Sequence, residues 1–310
     1  MNQRKIYEPL VSIMKHEEEG ESLQQALDLL PVGQIIKPGE VVVITPNWVK
    51  VDCPATGTVV GPETLRALIC YVQGFSPGEI IVATGSGGGS TKNVFIEVGY
   101  DQVIQSEGVR FVDLNYGPYS EIELEHGIVR KTKINKLLAD MDVLISFTQL
   151  KQHEEATISG AIKNIALGWP PGEIHGFPKK SLGIHEDLHG FIRAMAKKIP
   201  IDLSIISCDK AMVATGPSEG IPVDTQGLII AATDPVAADC LGARLLGFLP
   251  QAVQYIYALY NDQVGEADPR NMTIHGITLE EAEMHFSLSA YGQPVVLDKN
   301  NQYKDLHGNR

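Results

Sequence analysis

Short apolar runs alternate with amphipathic stretches along most of the chain. Residues 41–45, 80–84, 110–114, 143–147, 203–207 and 228–232 are rich in Val and Ile and bounded by turn residues, the signature of short buried strands. Between them, residues 62–74, 93–107, 186–198 and 235–246 repeat apolar positions at helical spacing. Pro62 and Pro235 open two of these segments, and Gly74 and Gly108 close two. Strands alternating with helices predict an α/β fold, with a largely parallel or mixed sheet flanked by helices on both faces. The pattern reads as a single domain over 1–310. Residues 1–32 form a peripheral helical segment, 33–250 the core, and 251–310 a less regular part. In that last part a helix is predicted near 251–260, a strand at 272–274, a helix at 279–284 and a frayed tail from Asp298. A second lobe built from 149–180 is the alternative.

Of the 310 residues, 44% are hydrophobic and 20% charged, an ordinary globular balance that leaves a sizeable core available. The net charge of -13 disfavours binding to a phosphate backbone, so no nucleic-acid partner is expected. There is no apolar run long enough for a membrane span and no signal-peptide core near the N-terminus, so the expected location is the cytoplasm, with no membrane partner. Cys53, Cys70, Cys208 and Cys240 form no Cys-x-x-Cys pair, so neither a disulfide framework nor a cysteine-ligated iron–sulfur cluster is expected.

Polar or glycine-rich features follow directly after most of the predicted strands: Asn47, Gly85–Ser90, Lys151 with His153, Asp209, and Asp234. In open parallel sheets, ligands bind outside the carboxyl ends of the strands, so these features are expected to converge on one edge. Gly85, Ser86, Gly87 and Gly88 run from a strand into a helix, where backbone N–H groups are able to meet a phosphate or carboxylate. The stretch lacks the Gly-Lys-Ser/Thr ending of a nucleotide loop. Lys151 and His153 project to the same side if the chain stays extended. Lys163 and Asn164 interrupt an apolar stretch, where a lysine must snorkel, pair or act; the alternative is an exposed helix face. His185 and His189 stand four apart, which on one helix places both on one face, as in some metal sites. Satisfied or exposed histidines are the alternative. Asp234 reads as a helix cap. Asp239, among apolar neighbours, requires a partner, with Lys163 or a histidine as candidates.

Together these motifs resemble those of the family called domain of unknown function 362. They are the first strand with Asn47; Ala83-Thr84-Gly85-Ser86; Lys151-x-His153 with Thr157, Lys163-Asn164, His185 and His189; and Gly216-Pro217 with Asp234-Pro235-Val236-Ala237-x-Asp239. The resemblance implies a shared polar site containing Lys151, His153, Lys163, Asn164 and Asp239. Many relatives append a ferredoxin-like segment with clustered cysteines; this sequence has no such cluster, so that cofactor does not carry over. A looser similarity is to lactate racemase-like proteins, which place Lys and His residues between α/β lobes around a nickel cofactor.

The expectation is an enzyme acting on a small anionic molecule. Asn47, Gly85, Ser86, Gly87, Gly88, Thr157 and Gly216 bind the ligand, His153 serves as general base or metal ligand, and Lys163 as stabiliser or base, with Asp239 orienting one of them. If a divalent metal takes part, His153, His185, His189 and Asp209 are its ligands. The alternative is a non-catalytic protein that carries a metal, cofactor or metabolite for a redox partner. A homo-oligomer stays open.

Overall fold

The computed structural model describes residues 3–297 and 303–305. In chain order the strands are β1 (Leu10–Lys15), β2 (Val41–Pro46), β3 (Glu79–Thr84), β4 (Arg110–Asp113), β5 (Tyr119–Glu123), β6 (Lys131–Asn135), β7 (Val143–His153), β8 (Thr157–Ser159), β9 (Leu203–Val213), β10 (Ile221–Asp224), β11 (Leu228–Ala232), β12 (Thr273–Gly276), β13 (Val295–Leu297) and β14 (Tyr303–Asp305). The main sheet has the order β12-β1-β11-β9-β7-β2-β3-β4, with β10 paired to β9 and β8 to β7. β2, β3, β4, β7 and β9 are mutually parallel, and β11 runs against both β9 and β1. The strand–helix alternation predicted from the apolar runs is therefore what the chain forms.

Side-chain alternation along the strands supplies two apolar layers. Val42, Ile44, Ile145 and Ile205 pack with the helices Glu19–Asp28 and Pro62–Gln73 on one face. Val43, Leu144, Ile206 and Ile230 pack with Ala161–Gly168, Leu188–Ala196 and Pro235–Leu245 on the other. No helix among the described residues is long and apolar enough to cross a membrane.

Several local expectations change. The N-terminal segment is not wholly a peripheral helix. Leu10–Lys15 inserts as β1 between β11 and β12, with Val11 and Ile13 fully buried, before the helix Glu19–Asp28 begins. The helix expected over 93–107 is two, Thr91–Glu97 and Tyr100–Ser106, because Gly99 adopts φ 91° between them. The strand expected at 143–147 runs on to His153, and the helix expected at 279–284 runs on to Tyr291. The expected fraying from Asp298 falls largely outside the described residues.

One topological feature positions the site. From β2 the chain moves outward through β3 to β4, then returns to the other side of β2 as β7. The strand order therefore reverses between β2 and β7, and a crevice opens at such a point beyond the carboxyl ends of the strands.

β1 lies inside the sheet. Ile13→Ala is therefore expected to cost roughly 2–5 kcal/mol of unfolding free energy in urea titration, whereas Glu17→Ala, exposed beyond the strand, changes it by less than about 0.5 kcal/mol. Equal small effects would mean that β1 is not a structural strand.

Candidate functional site

A cavity of about 290 Å³ opens at the reversal point. Asn47 at the end of β2, Gly85 at the end of β3, and Lys151 and His153 at the end of β7 line it, as the strand-end argument anticipates. Lys163 and Asn164 reach it from the helix Ala161–Gly168, and Gly216 from the turn after β9. A second cavity of about 350 Å³, lined by Arg4, Tyr7, Ile199 and Pro235, contains none of the candidate catalytic, ligand-binding or metal-ligating residues.

Three lysine amines set the electrostatics, and none of them forms an ion pair with a carboxylate among the described residues. Lys151 is fully buried; its Nζ donates to the Thr58 carbonyl at 2.8 Å, an oxygen that also accepts from Asn47 Nδ2 at 2.9 Å. Burial, reinforced by Lys163, pushes its pKa well below the usual lysine value. Lys179 donates to the carbonyls of Gly85 (2.9 Å), Leu167 (2.9 Å) and Gly168 (3.3 Å). Burial draws it down to about 7, but three carbonyl acceptors match the three N–H groups of an ammonium and favour the charged form. Lys163 has no hydrogen-bond partner among the described residues, and burial holds it down to about 8. The exposed-face reading of Lys163 is thereby excluded.

His153 is not placed to act as a general base. Its Nδ1 accepts the backbone N–H groups of Glu155 (3.1 Å) and Ala156 (3.2 Å), which puts the proton of the neutral ring on Nε2. Burial, with the charges of Lys163 and Lys151, depresses its pKa to about 2. The ring is thus a neutral N–H donor.

Asp239 does not line the cavity, and its partner is neither Lys163 nor a histidine. Its carboxylate accepts from the N–H groups of Ala161 (2.6 Å) and Ile162 (3.3 Å) and from the Tyr255 hydroxyl (2.7 Å). It caps the lysine helix from a neighbouring helix, and burial raises its pKa to about 7 against those three donors. A Cβ on Gly160 would fall 2.3 Å from Asp239 Oδ1, so the cap requires glycine there. Asn164 is a tether, donating to the Thr45 carbonyl (2.8 Å) and Ser146 Oγ (3.1 Å).

The glycine loop is less available than its sequence suggests. The Ser86 N–H donates to Thr91 Oγ1 (3.1 Å) and the Gly88 N–H to the Val49 carbonyl (2.8 Å), so both amides are used internally. Gly85, Gly87 and Gly88 line the cavity; Ser86 and Thr157, which adopts φ 66° at the start of β8, do not. Gly216 is there for close approach, since a Cβ would meet the Gln152 carbonyl at 1.9 Å.

The expected metal ligands do not gather. His185 and His189 share no helical face: Asp187 between them leaves the helical region at φ -144° and ψ 72° and caps Leu188–Ala196, so His185 lies outside the helix that carries His189. His185 engages Glu155 at the rim, His189 stacks on Tyr255 outside the cavity lining, and Asp209 accepts from the Gly227 N–H at 2.7 Å. Among the described residues no three His, Cys, Asp or Glu side chains are placed to hold one metal ion. The donor set therefore does not fit a protein-held divalent or nickel ion. Asp234 caps Pro235–Leu245 as expected, but the reversal of β11 carries it to the opposite edge, where it pairs with Arg4.

Sequence reasoning missed Lys179, Lys50 and the rim group of Lys180 with Glu155 (3.2 Å). Phe177-Pro178-Lys179-Lys180 carries no periodicity that marks one lysine as buried and its neighbour as exposed.

The chain belongs to the family described as Domain of unknown function (DUF362), whose model it matches over residues 42–244. It is 26% identical over 276 residues to a thylakoid-associated protein of Synechocystis sp., covering 86% of this chain and 83% of that one. Among solved structures, the lactate racemase apoprotein of Thermoanaerobacterium thermosaccharolyticum is similar at TM-score 0.45 and 17% identity, over 79% of this chain and 58% of that chain. A protein from Thermotoga maritima is similar at TM-score 0.44 and 16% identity, over 67% of this chain and 55% of that one. The chain thus spans somewhat over half the length of these two solved structures.

The His153 pKa gives a pH prediction. The unfolded ring binds a proton below about 6.5, whereas the folded ring stays neutral down to about 2. The unfolded state then holds more protons, so this group makes stability fall as pH drops below about 6.5. In urea titrations between pH 7 and 4, His153→Gln should show a shallower acid loss than the wild type; parallel curves would refute the neutral-ring assignment. Gly160→Ala should be destabilised by about 2 kcal/mol or more through displacement of Asp239, and unchanged stability would refute the cap.

Proposed function

We propose that this chain is an enzyme that binds a small carboxylate or phosphate in the cavity between the ends of β2 and β7 and acts on it by lysine-centred acid–base chemistry. The observation that carries this reading is the convergence of Lys151, Lys163 and Lys179 on one cavity without a carboxylate partner. A buried amine left this way costs stability and is retained where a ligand completes it. It stands out further against an overall charge of -13. The cavity volume suits a small metabolite.

The roles follow from the contacts. Lys163, whose pKa is held to about 8, takes up or delivers a proton near neutral pH. The His153 Nε2–H donates to an oxygen of the ligand and polarises it. Lys151 offers N–H donors and the caged Lys179 adds positive potential within the cavity, while Lys50 and Lys180 line it nearer the surface and attract anions. Asn164, Asp239 and Gly160 hold the lysine helix in place.

Lys163→Met separates this reading from a structural role for the amine. Replacing a largely buried lysine that lacks a hydrogen-bond partner among the described residues by a methionine should raise the unfolding free energy by about 1 kcal/mol or more. The same change should abolish the thermal stabilisation that phosphate or a panel of small carboxylates gives the wild type. A variant that is both less stable and still stabilised by the anions would overturn the proposal. Ligand retention without turnover across the panel would reduce the site to a carrier.

A further inference from the structure

Lys163 differs from the other two lysines of the cavity. Lys179 is enclosed by three carbonyls and Lys151 is held by one, but the Lys163 Nζ has no hydrogen-bond acceptor and no close ion pair among the described residues, Glu155 acting on it only from a distance, and it borders the open volume. An amine kept only for its charge is better placed when hydrogen-bonded or paired. An amine that must use its lone pair requires the reverse: no partner, a dry surrounding, and free space beside the nitrogen for an incoming carbon.

We propose that Lys163 is a nucleophile that condenses with the carbonyl carbon of a small oxo acid to form a Schiff base. This rests on the reading above that the cavity takes a small anion, and it names the class: a carboxylate bearing a ketone or aldehyde. The Lys163 amine adds to the carbonyl carbon, and one N–H proton passes to the carbonyl oxygen. The carbinolamine then expels that oxygen as water, the second N–H proton leaving with it, and a C=N bond remains. No oxidant or reductant is consumed. The His153 Nε2–H lines the same cavity and is a donor for the carbonyl oxygen as it gains charge. Lys151, which gives one N–H to the Thr58 carbonyl, remains as a donor for the carboxylate, while Lys179, its N–H groups spent on three carbonyls, adds its charge nearby. Burial at about 8 leaves Lys163 with on the order of a hundredfold more free amine at neutral pH than an ordinary lysine. The mouth, lined by Lys50 and Lys180, gives the released water a way out.

The test is reductive trapping. The full chain is incubated with pyruvate or glyoxylate and sodium cyanoborohydride, whose hydride adds to the imine carbon and leaves a stable secondary amine. Peptide mass mapping then locates the adduct. The expected result is preferential labelling of Lys163, roughly a hundredfold faster than at any surface lysine, suppressed by excess propionate and absent in Lys163→Arg. Mapping the wild type alone decides the question if that variant fails to fold. No adduct, or labelling of Lys163 no faster than of surface lysines, overturns the Schiff base. Thermal shift with propionate and inorganic phosphate runs in parallel. Anion binding without an adduct removes only the nucleophile, whereas absence of both removes the anion-site reading as well.

Discussion

Bringing an amine into a protein interior leaves three outcomes: it is paired with a carboxylate, it spends its N–H groups on carbonyls, or it gives up its proton. Around this cavity the first is unused and the other two are divided among three lysines. Lys179 takes the carbonyls of Leu167 and Gly168, at the C-terminal end of the lysine helix where the peptide dipoles leave negative charge, and adds Gly85 from the loop after β3. One ammonium therefore ties two walls of the cavity together. This also accounts for the behaviour of the glycine loop. Its position is set by Lys179, and its Ser86 and Gly88 amides close onto Thr91 and Val49. The positive potential comes from side chains rather than from the loop's backbone.

The lysine helix is itself held at three points. Asp239 accepts from its first N–H groups, Asn164 anchors its middle to Thr45 and Ser146, and the Trp169 indole donates to Thr45 Oγ1 at 3.2 Å. Asp239 joins the helix to Pro235–Leu245, and Asn164 and Trp169 join it to the strands whose ends form the cavity, both to Thr45 of β2 and Asn164 also to Ser146 of β7. Lys163 is thus carried by a rigid element although its own amine has no hydrogen-bond partner among the described residues, the arrangement expected where a reactive group must be positioned without being quenched. Tyr255, bonded to Asp239 and stacked beside His189, extends that support away from the cavity.

What was legible in the sequence follows from what local pattern encodes. The Val- and Ile-rich runs announced the central strands because those strands are buried on both faces and need continuous hydrophobicity. Their polar ends announced the cavity edge for Asn47, Gly85, Lys151 and His153. The direction of β11 was not legible, since Leu228–Ala232 reads the same whichever way the strand runs, and Asp234 was placed at the wrong edge for that reason. β1 was hidden because its short apolar run precedes an acidic helix start that dominates the segment. The His185–His189 spacing misled because it presumes one continuous helix, and the non-helical backbone at Asp187 denies it. The burial of Lys179 by a loop leaves no periodic trace at all.

The distribution of donors and acceptors gives the cavity a direction. Its interior offers the amines of Lys151 and Lys163 and, with the tautomer pinned by the Glu155 and Ala156 amides, the Nε2–H of His153. The carboxylates of Glu154 and Glu155 line it from exposed positions, and Glu155 is already engaged by Lys180 and His185. An anion entering charge-first meets donors throughout, whereas a cation meets like charge once past the rim. Among the described residues lining the cavity no free carboxylate or histidine lone pair lies deep enough to remove a proton from a bound ligand, so deprotonation there falls to an amine. Of the three amines, Lys163 alone borders the open space with no hydrogen-bond partner among the described residues. The chemistry of the cavity therefore converges on that one nitrogen, and the surrounding structure keeps it free of hydrogen bonds, in place, and holding its proton less tightly than an ordinary lysine.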